Sequence, residues 1–294
     1  MGDSGTAAPR LAPFLVLAIA LVAVSHGAIF ARLADAAPFA IAAWRVGLAC
    51  LVVIPFALVH PGDGRFAPRP ILLAVGAGLL LALHFGTWIA SLDFTTIARS
   101  VLLVSTAPIW VALIQFARER RLPSRATMLA LGCATLGAIV VSSGGLRESA
   151  ALAGDLLAVA GAIAMAGYLL LSRAAQRTLP FRGYLGIAYG SAAAWLWLAV
   201  AVTATPATGF DSTTWWAFAG MAIVSQLIGH SGYNWSLRHL DPLFVAVALV
   251  GEPVLAACLG WWLLGEFLDW RTAAGGLLIL AGIAIGARTA RARG

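Results

Sequence analysis

Apolar residues fall in long blocks along this chain, and polar residues gather in the short stretches between them. Ten blocks stand out, near 12–31, 39–59, 71–91, 97–117, 126–143, 152–172, 183–204, 214–236, 243–265 and 272–288. About 20 apolar residues wound as a helix cross the hydrocarbon core of a bilayer. The pattern therefore predicts an all-α integral membrane protein with ten transmembrane helices. Segments such as "HPGDGRFAPRP" (60–70) and "RERRLPSR" (118–125) carry the Pro, Gly and charge that interrupt helices. Arg10 and the run to Phe30 have the outline of a signal peptide, but nine similar runs follow, so the first run reads as a span.

Composition strengthens this picture. The chain has 294 residues, 61% hydrophobic and 11% charged, with mean hydropathy +0.93. A soluble core does not need so much apolar surface. The formal charge of +7 comes wholly from arginine, since lysine is absent. With ten spans both termini share a side, and fourteen arginines fall on it. Four (Arg32, Arg99, Arg147 and Arg271) fall on the other side, and Arg45 lies within the second run. Arginine accumulates on the cytoplasmic face, so both termini are expected there. No basic run is long enough to form a nucleic-acid arm. Cys50, Cys133 and Cys258 all sit inside apolar runs and read as small packing residues, not a disulfide framework.

The blocks also repeat. "STAPIWVALI" (105–114) and "VGEPVLAACL" (250–259) each place a proline near the start of an apolar run, with Glu119 and Glu266 near the runs' ends. A Gly-rich run follows each, and Pro108 to Gly137 and Pro253 to Gly282 are both 29 residues. Upstream, "HFGTW" (84–88) matches "HSGYNW" (230–235). The expected division is into halves 1–147 and 148–294 of five spans each. An odd number of spans per copy turns the second copy upside down. Inverted repeats with broken helices point to a secondary transporter with its site near the membrane midplane. Such halves favour alternating access over a permanent pore. The cavity is expected between the first, third, fourth, sixth, eighth and ninth runs, with Pro108 and Pro253 as helix breaks or hinges.

Polar residues inside apolar runs are the candidate site, because a charge in lipid costs several kcal/mol, roughly 2.5–3.5 on insertion scales. Two roles suit Glu252: facing a polar cavity to bind an amine or carry a proton, or capping backbone groups freed around Pro253. His84, Trp88 and Ser91 share one helical face, and Gln226, His230, Tyr233 and Asn234 make a second polar stripe. Each histidine could line the cavity or bond a neighbouring helix. Trp88, Trp110 and Tyr168 could stack on an aromatic or cationic substrate, or simply pack. Trp215, Trp216, Trp261, Trp262 and Trp270 sit near span ends and read as an interfacial belt. Arg45 has a structural reading, pairing with a buried acid or snorkelling to a headgroup. The glycines of "GYLGIAYG" (183–190) and "LAGIAIG" (280–286) permit close helix contact. Two histidines without a third ligand make no metal site, and no cofactor is implied.

At these residues the chain resembles the drug/metabolite transporter superfamily, EamA type. Pro108 with Glu119, and "GEPV…LLGE" (251–266), are similar to the paired fourth- and ninth-helix pattern of that family; Arg45 in "PFAIAAWRVG" matches its second-helix arginine. The pattern is not symmetric, because Thr106-Ala107-Pro108 stands where the second half has Gly251-Glu252-Pro253. The resemblance implies a bacterial inner (plasma) membrane exporter of small metabolites. It is similar above all to the YddG-type exporters of aromatic amino acids, so aromatic and other neutral amino acids are the expected cargo. Multidrug, cationic-compound or nucleoside export is the alternative. The expected substrate contacts are His84, Trp88, Trp110, Tyr168, His230, Tyr233, Asn234 and Glu252. The expected partners are the lipid bilayer and that small molecule, with no nucleic acid and a monomer sufficing. No catalytic residue is expected. A rival reading takes "GHSG" (229–232) as the serine motif of a rhomboid-like intramembrane protease, but the only later histidine, His239, falls in a loop.

Overall fold

The computed structural model describes residues 11–60, 62, 66–94, 100, 103–142, 152–264 and 270–291. Glu266 lies outside the described residues, as do Arg10, Arg65, Arg99, Arg147 and Arg293 and the side chains of Arg32, Trp261 and Arg291. All regular structure among the described residues is helical. The elements are α1 (Ala12–Ser25), α2 (Gly27–Leu33), α3 (Pro38–Val59), α4 (Pro68–Ser91), α5 (Ala107–Glu119), α6 (Arg125–Ser142), α7 (Leu152–Ala175), α8 (Phe181–Val202) and α9 (Ser212–Gly220). A π-helical segment (Met221–His230) leads into α10 (Ser231–Ser236), followed by α11 (Pro242–Leu249), α12 (Glu252–Leu264) and α13 (Trp270–Arg291).

Five helical stretches are long and apolar enough to cross a membrane by length and composition: Ala12–Ala31, Pro38–Val59, Pro68–Ser91, Leu152–Ala175 and Phe181–Val202. Shorter or interrupted helices carry the other apolar runs. Proline marks many of the starts, at the first or second position of α1, α3, α4, α5 and α11. There its missing N–H leaves no hydrogen bond unmade. The ninth run is not one helix. It breaks at Val250 and Gly251, and α12 restarts with Glu252 and Pro253. The described part of the fourth run likewise has a turn at Ser105 and Thr106 before α5 begins with Ala107 and Pro108. The first run also turns at His26, within Ser25-His26-Gly27, between α1 and α2.

Helix packing follows the small residues. The main contacts are α4 against α7 and α8, α3 against α8, α6 against α13, and α1 against the π segment and α10. Along α4, a Cβ on Gly78 would lie 2.3 Å from the Ala188 carbonyl oxygen, so this glycine lets two backbones touch. The contact of α6 with α13 is reciprocal. A Cβ on Gly137 would meet Gly275 O at 2.6 Å and Ile279 Cγ1 at 2.7 Å. One on Gly282 would meet Ala130 O at 2.7 Å and Ala134 N at 3.0 Å. Large apolar side chains instead cover the outside, among them Leu58, Leu72, Leu152 and Leu277. A bundle with small residues inside and Leu, Val and Trp outside suits lipid as its solvent.

At one end Trp44 donates its indole N–H to the Ala207 carbonyl at 2.9 Å and meets Trp197 and Trp215 edge-on at 5.1 and 4.7 Å. Trp215 thus belongs to an aromatic cluster that pins the connection before α9, while Trp216, Trp262 and Trp270 remain exposed. Asp211 caps α9 through the Thr214 N–H at 2.8 Å.

The reciprocal glycine contact makes a direct prediction. Gly137→Ala should lower the melting temperature in detergent, because backbone atoms cannot yield and overpacking costs about 1–3 kcal/mol. Gly132→Ala, where nothing lies within 4 Å of the added carbon, should hold or raise it, since alanine gains roughly 0.5–1 kcal/mol in a helix. Equal melting of the two variants would contradict this packing.

Candidate functional site

A cavity of about 90 Å³ lies in the centre of the bundle. That is room for roughly six or more waters, at about 10–15 Å³ of such volume each. Its polar lining is Arg45 from α3, His84 and Trp88 from α4, Ser105 from the turn before α5, His230 and Tyr233 from the π segment and α10, and Glu252 from the start of α12. Pro108 and Pro253 border it, so both helix starts open onto the same space. Val24 and Gly27 close it from α1 and α2, Met165 and Leu169 from α7, and Phe85 from α4.

The geometry assigns each group a condition. Arg45 is 3% exposed. Its Nε donates to Gln226 Oε1 at 2.9 Å, and its guanidinium carbon stands 4.1 Å above the Phe85 ring, within cation–π range. Among the described residues its two Nη groups make no hydrogen bond. Glu252 also has no hydrogen-bond partner among the described residues, and the charge that acts on it is that of Arg45. An acid and a permanent cation therefore share one small chamber. Glu252 does not cap the backbone around Pro253 here; it faces the cavity. Arg45 is not drawn out to a headgroup, because its polar partners are inside.

His84 Nδ1 lies 3.0 Å from the Gly161 carbonyl. A carbonyl only accepts, so Nδ1 carries the proton and the neutral ring keeps Nε2 as an acceptor. The imidazole stacks on Trp88, with planes 6° apart and centroids 6.1 Å apart. The Trp88 indole N–H is buried without a hydrogen-bond partner. His230 shares a short hydrogen bond with the Tyr233 hydroxyl through Nδ1 and packs against Phe85 at 5.0 Å.

Behind this lining stands a second layer. The chain has four tyrosines, and all four, Tyr168, Tyr184, Tyr189 and Tyr233, are buried in one cluster. Tyr184 donates to Ser172 Oγ and approaches Asn234 Oδ1 at 3.2 Å. Asn234 Nδ2 donates to the Tyr168 hydroxyl and, at 2.7 Å, to the His230 carbonyl. Tyr189 reaches Ser231 Oγ at 3.1 Å and the Gln226 carbonyl at 3.4 Å. The Gln226 carbonyl also accepts the Ser231 backbone N–H at the end of the π segment, so Tyr189 and Ser231 Oγ add to a bond already made. Tyr168 and Asn234 thus lie behind the cavity wall, locking the eighth run. Trp110 does not line the cavity either; its N–H donates to Thr106 Oγ1 at 3.2 Å, bracing the turn before α5.

The site residues that pattern alone missed are Arg45 and Gln226. Gln226 falls on the polar stripe, but nothing in the sequence pairs it with an arginine 181 positions away. Tyr184 and Tyr189 were hidden inside a glycine-rich run that reads as packing.

A lipid-facing helical bundle around a small charged chamber defines a multi-pass membrane transporter. The EamA-like transporter family model matches residues 11–143 and again residues 152–287, and the chain belongs to that family. Two uncharacterized transporters of Archaeoglobus fulgidus are related. One is 25% identical over 282 residues, covering 92% of this chain and 95% of its own. The other is 24% identical over 274 residues, covering 91% and 94%. A solved crystal structure superposes with a TM-score of 0.78 over 96% of this chain and 99% of its own, at 21% identity, and so shares the fold.

Gln226 supplies a test of the site's construction. Gln226→Leu removes the acceptor from a buried guanidinium, which should cost about 1–3 kcal/mol and lower the melting temperature. Gln226→Glu keeps that acceptor and should stay near wild type. Identical melting of the two variants would mean that the Arg45–Gln226 bond does not hold the site.

Proposed function

We propose that the protein exports neutral α-amino acids, aromatic ones foremost, by alternating access, in the manner of YddG-type exporters. The observation that carries this reading is that Arg45 and Glu252 line one cavity beside Trp88, His84 and Phe85. A zwitterion offers what each charge lacks. Its carboxylate suits the free Nη groups of Arg45, in the fork geometry that arginine presents to carboxylates. Its ammonium suits Glu252. The stacked aromatic wall suits a planar side chain.

The same chamber disfavours the alternatives. A cationic drug at about 4 Å from Arg45 would meet a repulsion of roughly 4 kcal/mol at an effective dielectric constant near 20. A nucleoside would leave both charges unanswered. For the protease reading, Ser231 Oγ bonds Tyr189 and the Gln226 carbonyl, with no histidine on it among the described residues.

The transport cycle in this reading uses ten spans in two inverted halves, 1–147 and 148–294, with both termini cytoplasmic in a bacterial inner membrane. The reciprocal contacts of Gly137 and Gly282 support a two-fold relation: 137, 130 and 134 map onto 282, 275 and 279 at one constant offset of 145. The contacts of α4 with α7 likewise have a counterpart with the halves exchanged, in those of the π segment and α10 with α1. The paired helix starts at Pro108 and Pro253 border the cavity from both halves, where a rocking motion would open it to either side.

Reconstituted liposomes tested with labelled tryptophan, phenylalanine and leucine, a nucleoside and a cationic dye should carry the amino acids and not the dye. Arg45→Gln and Glu252→Gln should each cut amino-acid flux at least tenfold, a loss of about 1.4 kcal/mol or more, while Ser231→Ala retains it. Equal dye flux, or full amino-acid flux in Arg45→Gln, would overturn the reading.

A further inference from the structure

A second cavity is larger than the central one. It measures about 630 Å³ and lies at the end of the bundle where α5 and α7 finish and α6 and α11 begin. Four arginines line it: Arg118, Arg121, Arg173 and Arg177. Against them stand Glu119 and Asp241, and Asp241 is engaged, since Oδ1 accepts the Leu243 N–H at 2.9 Å to cap α11. Arg173 is half-buried and held in place by donating from Nη1 to the Leu237 carbonyl. The exposed His239 imidazole is pushed below its ordinary range by partial burial and by the charges of Arg238 and Arg173. This end of the molecule therefore presents a fixed positive potential.

Below the arginines the wall turns apolar, with Ile114, Leu170, Leu243, Phe244 and Val247. A gap between helices borders the cavity. Helix α5 packs on α7 and α11, yet barely touches α6, its neighbour along the chain. Ile114 on α5 and Met128 and Leu129 on α6 are exposed beside that gap. Pro108 borders the central cavity and Ala112, one turn on, borders this one, so α5 runs past both.

We propose that this lateral cleft binds an anionic phospholipid, with its phosphate among Arg118, Arg121, Arg173 and Arg177 and an acyl chain against Ile114, Leu170 and Phe244. The order of groups matches such a lipid from headgroup to tail. Arginine forks are the donors that recognise phosphate, and basic pockets between helices on the cytoplasmic side take acidic headgroups. A free oxyanion would fill only the rim and leave the apolar wall wet. The bound lipid would brace α5, α7 and α11, each of which also lines the central cavity.

The test is native mass spectrometry of the purified full chain with phosphatidylglycerol, phosphatidylcholine or inorganic phosphate. Wild type should retain one phosphatidylglycerol in at least tenfold preference over phosphatidylcholine, and millimolar phosphate should not displace it. The Arg118→Gln/Arg121→Gln double variant, at two exposed positions, should lose the preference while keeping its melting temperature. Arg288→Gln, an exposed arginine outside the cleft, should keep both, which separates a built site from general attraction to a basic face. Ile114→Asn should weaken retention of phosphatidylglycerol. Equal retention of both lipids, an unchanged preference in the double variant, or displacement by phosphate or by an amino acid would overturn the proposal.

Discussion

A guanidinium cannot give up its charge, and the middle of an apolar bundle is an expensive place to keep one. Arg45 is held there by three things: the Gln226 side-chain amide oxygen (Oε1) on Nε, the face of Phe85, and the acidic group of Glu252 across a small cavity. Each constrains something else. Gln226 points at α3 from a π-helical segment whose carbonyls also meet Tyr189, Ser231 and Asn234. The tyrosine cluster therefore stands directly behind the residue that holds the cation.

The constraint also accounts for the chemistry left open. Arg45 Nη, Glu252 and the Trp88 indole N–H are buried or cavity-facing groups without hydrogen-bond partners among the described residues. Unmet buried polar groups cost free energy, and the proposed zwitterionic cargo would supply partners for both charges. The small cavity is bordered by the starts of two helices, at Pro108 and Pro253.

Much of the architecture is legible in the sequence because lipid enforces simple rules. The apolar blocks, the prolines at 108 and 253 and the repeated His-x-Gly motif locate the helices, the breaks and two histidines that line the same cavity. Other features obey forces that hydropathy does not record. A π turn has no apolar signature of its own, so residues 221–230 read as an ordinary helix. The turn at His26 interrupts a run long enough in total to read as one span, although Ser25-His26-Gly27 marks it. Arg45 looks structural until the fold brings Gln226 to it. Tyr168 and Asn234 look like cavity residues from helical spacing, but they bond each other and the His230 carbonyl behind the wall.

The account rests on a zwitterion bridging Arg45 and Glu252, and a structure with bound p-bromophenylalanine tests it most directly, since anomalous scattering locates the bromine. The account predicts the carboxylate on the Arg45 guanidinium, the ammonium on Glu252 and the bromine beside Trp88 and Phe85. A ligand lodged among the arginines of the lateral cleft, with the central cavity empty, would contradict it.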